Sequence, residues 1–224
     1  MKEVVLIIAP HAYDETLGCG GSILKHKNKN DKIHYLLVTE TEDNQIISGT
    51  SSQKRNDQIK NMINFYKFDS FHRLGLIATM IDNIPINDII SKISEVIKKV
   101  KPTIIYLPFP GDIHSDHLVV FQAASACTKW FRVSSLHTIL VYETLSETNF
   151  TLNPKINTFK PNLFVDITNF IDGKIKACKI FKSEISKHPF PRSTESIKAL
   201  SVLRGSESGF KAAEAFMILK KIEK

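Results

Sequence analysis

Val4 to Ala9 (VVLIIA) is a continuous apolar run rich in β-branched residues. Such a run predicts a strand buried on both faces of a sheet, where alternation is not required. A glycine-rich turn follows, and Ser22 to Lys29 reads as the end of a helix. His34 to Val38 (HYLLV) predicts a second strand. Ser52 to Tyr66 places Ile59, Met62, Ile63 and Tyr66 at helical spacing, and Ile86 to Val100 does the same with Ile89, Ile90, Ile93, Val96 and Ile97. Thr103 to Leu107 (TIIYL) predicts a strand and Leu118 to Trp130 a helix. Further on come strands at Thr138 to Tyr142 and Leu163 to Val165, and helices at Ile171 to Ser186 and Ser193 to Leu203. Asp43 to Ser52 is polar and reads as a mobile loop; residues 145–161 read as an excursion outside the sheet.

Strands alternating with helices predict an α/β fold, with a doubly wound, mostly parallel, Rossmann-like sheet and helices on both faces. With 224 residues and no linker, repeat or low-complexity tract, residues 1–224 are expected to form one domain. At 42% hydrophobic and 24% charged residues the composition is that of a globular chain. The net charge of +7 has two readings, a solvated lysine-rich surface or attraction to an anionic substrate. No dense Lys/Arg tract or recognition motif points to nucleic acid. No apolar stretch approaches a membrane span, and the short run before His11 is too short for a signal-peptide core. Cys19, Cys127 and Cys178 are odd in number and widely spaced, which disfavours a disulfide framework and suits a cytoplasmic setting.

Two segments carry the chemistry. Pro10-His11-Ala12-Tyr13-Asp14-Glu15 with its glycine turn follows the first strand, and Gly111-Asp112-Ile113-His114-Ser115-Asp116-His117 follows TIIYL. Ligands in open α/β sheets gather at the carboxyl ends of strands, where both segments begin. Three imidazoles and several carboxylates meeting there suit a catalytic metal, most simply zinc, with iron or cobalt as alternatives. His-x-Asp-His alone is a weak signal, and a lone histidine beside a strand is more often structural. A dinucleotide-binding turn is the competing reading of the glycines, but Ile23 stands where the third glycine of GxGxxG belongs. Close backbone packing at a helix start explains them better.

In these residues the chain resembles the LmbE/PIG-L-type zinc deacetylases, whose motifs run A-H-P-D-D-E before a glycine-rich turn and then H-x-D-H. The chain has P-H-A-Y-D-E and H-S-D-H at these places, Arg55 in a segment like the family's R-x-x-E with Gln58 for the acid, and later F-V-D-I, R-G and A-E-x-F pieces. The resemblance implies His11, Asp14 and His117 as zinc ligands. It implies His114 as the donor that stabilises an oxyanion and protonates the leaving amine, with Asp116 orienting it. It also implies Arg55 as a substrate contact, with a surface salt bridge as the alternative. Arg192, between two helices, is a further candidate for an anionic group; an ordinary loop leading to a Ser193 cap is the alternative. Glu15 is expected to support the helix start or the site. The implied activity is removal of acetate from an N-acetylated amino sugar, a small-molecule substrate that a nucleotide could carry.

Tyr13 departs from the pattern, since the family places its general-base Asp there. A phenol titrates near 10 and is a poor proton acceptor at neutral pH, so the catalytic role expected of Tyr13 is a hydrogen bond to the zinc-bound water. The expectation is a slow enzyme, one using another base, or one whose chemistry has drifted. A metal-containing sugar-binding relative without turnover and a nucleotide-binding regulatory protein are the competing functions.

Overall fold

The computed structural model describes residues 2–40, 51–152 and 159–223. The elements run β1 (Val4–Ala9), α1 (Asp14–Asn28), β2 (Lys32–Glu40), α2 (Ser52–Tyr66), β3 (Ser70–Ile77), α3 (Ile86–Val100), β4 (Ile104–Pro108), α4 (Ser115–Ala126), β5 (Thr138–Tyr142), β6 (Leu163–Asp166), α5 (Ile171–Cys178), α6 (Thr194–Ser206) and β7 (Ala213–Lys221). The seven strands form one sheet in the order β3-β2-β1-β4-β5-β7-β6. The first five are parallel, and β7 runs antiparallel to both β5 and β6. This is the mostly parallel α/β sheet that the pattern predicts.

The continuous apolar runs become the central strands. Alternate residues of β1 enter opposite cores: Val5 and Ile7 pack with α1, α2 and α5, whereas Leu6 and Ile8 pack with α3 and α4. Helices therefore cover both faces. The helical periodicities of α2 and α3 match the structure end to end because each has a clear start and stop. Ser51 caps α2 by accepting from Lys54 N, and Lys67 and Lys101 end α2 and α3 in the left-handed region.

Some expectations shift. The helix at Leu118–Trp130 begins earlier and stops at Ala126, leaving Trp130 exposed. The helix from Ile171 ends at Cys178 rather than Ser186. Strands β3 and β7 are additions to the elements that the hydrophobic pattern predicts. The polar loop expected at residues 43–52 lies outside the described residues through position 50, as do residues 153–158 of the excursion expected at 145–161. Residues 148–150 form a short 3-10 turn.

The glycines of α1 serve close packing. A Cβ on Gly18 would meet the Tyr142 ring at 2.4 Å, and one on Gly21 would meet Ile167 at 2.6 Å. The same stretch is tied to the antiparallel end of the sheet by Glu214 of β7, the strand next to the edge. Its carboxylate accepts from Gly21 N at 2.8 Å and Ser22 N at 2.7 Å, and it pairs with the buried Lys174 of α5 at 2.7 Å. The A-E-x-F piece of the sequence thus holds α1 in place. The strand order reverses direction between β1 and β4, and both chemically loaded loops leave the sheet at that crevice.

Candidate metal centre and its cleft

At the end of β1 the chain turns sharply into α1. Tyr13 occupies the left-handed region at φ 109°, an uncommon and strained conformation for a tyrosine. The buried Glu15 secures it: Oε2 accepts from Tyr13 N at 2.9 Å and from the Tyr35 hydroxyl at 3.1 Å, and Oε1 accepts from Thr16 at 2.6 Å. Burial pushes the Glu15 carboxyl up to about 7. Glu15 therefore supports the loop that presents His11 and Asp14.

His11, Asp14 and His117 each offer one ligand atom, all within 4.8 Å of one another. His117, at the first turn of α4, is completely buried. Its Nδ1 is 2.7 Å from Asp112 Oδ2, which leaves Nε2 facing Asp14 Oδ2 at 3.3 Å. That Nε2 meets only the Asp14 carboxylate, in an ion-pair contact without good hydrogen-bond geometry. A buried imidazole nitrogen aimed at a carboxylate, with a second carboxylate behind it, is the arrangement a metal-ligating histidine needs. Burial would lower the pKa of His117, but Asp14 and Asp112 outweigh it and raise it to about 10. A divalent cation would replace the proton that these carboxylates hold. The donor set therefore fits a metal ion. His114, His11 and Asp116 form a second possible grouping, but the Asp116 carboxylate there already serves two donors.

Those two donors alter one expectation. Asp116 Oδ2 lies 2.9 Å from His11 Nε2 and accepts from Thr79 N at 2.9 Å. The carboxylate therefore steadies His11 rather than His114. His114 contacts Asp116 through the backbone, its Nδ1 accepting from Asp116 N at 3.2 Å. This contact assigns the ring proton to Nε2 in the neutral tautomer. Burial and the neighbouring His11 lower the His114 pKa to about 4. His114 is thus a neutral N–H donor in the metal-free chain.

A cleft of about 540 Å³ opens over these groups, lined by His11, Asp14 and His114 on one wall and by Arg55, Glu184 and Arg192 on the other. Its size suits a small organic ligand. Glu184 Oε2 accepts from Arg192 at 2.8 Å, and its Oε1 pairs with Arg55. Arg55 thus finds its carboxylate at Glu184 and not at position 58, where the Gln58 Oε1 is buried without a partner. Arg55 Nη1 and Arg192 Nε are also buried and unpartnered.

Tyr13 belongs to this second wall. Its ring packs 5.2 Å from Phe181, on which the Arg55 guanidinium also rests at 5.7 Å. Its hydroxyl is buried beside the Cys178 thiol, and burial together with Cys178 raises the phenol far above its usual range. The side chain at position 13 is a packing element and cannot accept a proton near neutrality. Sequence reasoning did not single out Asp112, Glu147 or Glu184. Only Asp112 had a local signal, its place five residues before His117.

Fold and site together define an α/β enzyme-like chain with a candidate metal centre at the switch point of its sheet. Residues 6–128, more than half of the chain, match the family described as PIG-L, GlcNAc-PI de-N-acetylase, and the chain belongs to that family. It is 25% identical over 222 residues to the diacetylchitobiose deacetylase of Thermococcus kodakarensis, covering 94% of this chain and 80% of that protein. Its fold is similar to that of the conserved protein TT1542 of Thermus thermophilus, with a TM-score of 0.77, 22% identity and coverage of 99% and 97% of the two chains. It is similar also to the N,N'-diacetylchitobiose deacetylase of Pyrococcus horikoshii, with a TM-score of 0.76, 19% identity and coverage of 96% and 83%. Among the described residues, no helix is long and apolar enough to cross a membrane.

Proposed function

We propose that the chain is a metal-dependent hydrolase that removes the acetyl group from an N-acetylated amino sugar. The observation that carries this reading is the fully buried His117 Nε2, 3.3 Å from Asp14 Oδ2 and grouped with His11, directly behind a cleft that His11 and Asp14 line. His11, Asp14 and His117 would hold the ion, and their mixed nitrogen and oxygen donors suit zinc, with iron and cobalt as alternatives. When bound, the ion supplies Lewis-acid polarisation of the amide carbonyl and acidifies a water. Asp112 and Asp116 fix the rings of His117 and His11 through hydrogen bonds. His114 offers its Nε2–H to the carbonyl oxygen as negative charge develops there. Arg55 and Arg192 line the opposite wall and hold the hydroxyl or anionic groups of the sugar.

The competing reading is a sugar-binding relative without turnover, and the buried Tyr13 at the usual base position favours it. An acetate-release screen separates the two. The purified chain, supplied with zinc, is incubated with N-acetyl sugars and their nucleotide conjugates. Zinc-dependent acetate from at least one sugar supports the hydrolase. Saturable binding of a sugar without acetate supports the binding protein.

A further inference from the structure

We infer that Glu147 is the proton acceptor of the reaction, standing in for the carboxylate that position 13 lacks. The inference rests on the hydrolase reading above. Among the described residues four carboxylates line the cleft: Asp14, Glu40, Glu147 and Glu184. Asp14 faces the imidazoles, as a ligand would. Glu40 is engaged by Arg73 at 2.6 Å, and Glu184 by both Arg55 and Arg192. Glu147 alone makes no side-chain hydrogen bond or ion pair among the described residues. A free carboxylate in a cleft wall is available to accept a proton, whereas one held by a guanidinium is a much weaker base.

The backbone around Glu147 is fastened to the metal-centre loop. Its carbonyl accepts from Ile113 N at 3.3 Å, and its own N–H donates to Thr144 O at 3.0 Å. The next residue, Thr148, donates to Asp112 Oδ1 at 2.5 Å and accepts from Thr144 N at 2.8 Å. Asp112 in turn orients His117. One carboxylate thus sets both the imidazole and the loop that carries Glu147, so the acid cannot drift from the site without disturbing the ligand. Glu147 is only half-buried, and in the metal-free chain burial and the charge of Asp14 raise its pKa against the opposing charges of His117 and Arg192.

In the step, Glu147 takes one proton from water as the water oxygen bonds to the amide carbon. The carbon–nitrogen bond then breaks, and the same proton passes to the departing nitrogen. The acid product gives its remaining proton to the amine, so the products are acetate and an ammonium group. His114 donates a hydrogen bond throughout and need not change its protonation. The arrangement also explains how Tyr13 is tolerated, because the proton acceptor lies on another loop.

The test compares zinc-loaded wild type, Glu147→Gln and the double variant Glu147→Gln with Tyr13→Asp on the best sugar of the screen. Zinc content and affinity for the deacetylated sugar, by calorimetry, are measured alongside acetate release. Glu147→Gln is expected to lose about 10²–10³-fold in kcat, within the range for general-base assistance, while zinc content and product affinity stay within about twofold. The aspartate at position 13 is expected to restore about tenfold or more of the lost rate by returning a carboxylate to the site. An active wild type with Glu147→Gln equally fast overturns this inference and leaves the hydrolase reading intact. Loss of zinc together with activity in Glu147→Gln also overturns it, since Glu147 would then be a support of the ligand loop. A wild type that releases no acetate from any sugar removes the hydrolase reading, and this inference with it.

Discussion

On the imidazole wall of the cleft, His11 lies between Asp14 and Asp116, His117 backs onto Asp112, and His114 is fixed by a backbone amide. On the facing wall, two arginines share the single carboxylate of Glu184, and Arg55 Nη1 and Arg192 Nε are buried without partners. The first wall is set by bonds within the chain and leaves the His117 Nε2 and the Asp14 carboxylate facing each other where a cation fits. The second has surplus donors, and unpaired buried donors are costly until something accepts from them. The imidazole wall is thus preorganised for the chemistry, and the arginine wall for a ligand rich in oxygen. Substitutions on the first should change metal content and kcat. Substitutions on the second should change KM.

The largest effect is expected at His117. His117→Ala should abolish both stoichiometric zinc and acetate release, read by elemental analysis and an acetate assay on the same sample; full retention of zinc would remove His117 from the ligand set. His114→Ala should keep its zinc and its KM and lose about 10²–10³-fold in kcat, as expected for loss of one oxyanion donor. A His114 variant that loses metal would exchange the roles of the two histidines. Asp112→Asn should weaken zinc affinity by about 10–100-fold, because it supports a ligand without being one. Competition with a chelator measures this, and unchanged affinity would mean that the ring of His117 is held well enough by packing.

On the arginine wall, Arg192→Ala should raise KM by about tenfold with kcat nearly unchanged, the signature of lost uniform binding. A fall in kcat at constant KM would instead place Arg192 in the chemistry. Acidification should also act on the imidazole wall. His117 holds a proton up to about 10 in the metal-free chain, and a cation must displace it. Zinc affinity should therefore rise with pH, and a chelator should strip the ion faster at about pH 5.5 than at about pH 8. Equal stripping rates at both values would mean that the ion does not compete with that proton.

How legible these walls are in the sequence follows from how local their determinants are. His11, Asp14 and His117 stand in short motifs directly after apolar strands, so their place at the carboxyl ends of β1 and β4 follows from the order of residues alone. The helices α2 and α3 are equally local, since periodicity and end signals lie within each segment. Strand β3 is an edge strand with only Leu76 buried, and its SFHRLGLI pattern lacks a continuous apolar run. β7 pairs antiparallel between β5 and β6, so its place in the sheet depends on strands far from it in sequence. The partners Glu184 and Glu147 come from loops with no motif and reach the cleft only through tertiary contacts. The Asp116 carboxylate shows the limit of motif reading: beside His114 in sequence, it bonds His11, 105 residues away. Tyr13 was legible as a departure, but only its packing on Phe181 shows that it has joined the opposite wall.

The most direct test of the account is a zinc titration of the metal-stripped protein, with acetate release from the best N-acetyl sugar followed at each point. The account predicts a rate that is negligible without metal, rises in proportion to bound zinc and levels off at about one ion per chain, the occupancy of a single closed ligand set. Acetate release that is full without metal, or stoichiometric zinc with no acetate from any N-acetyl sugar, would contradict it.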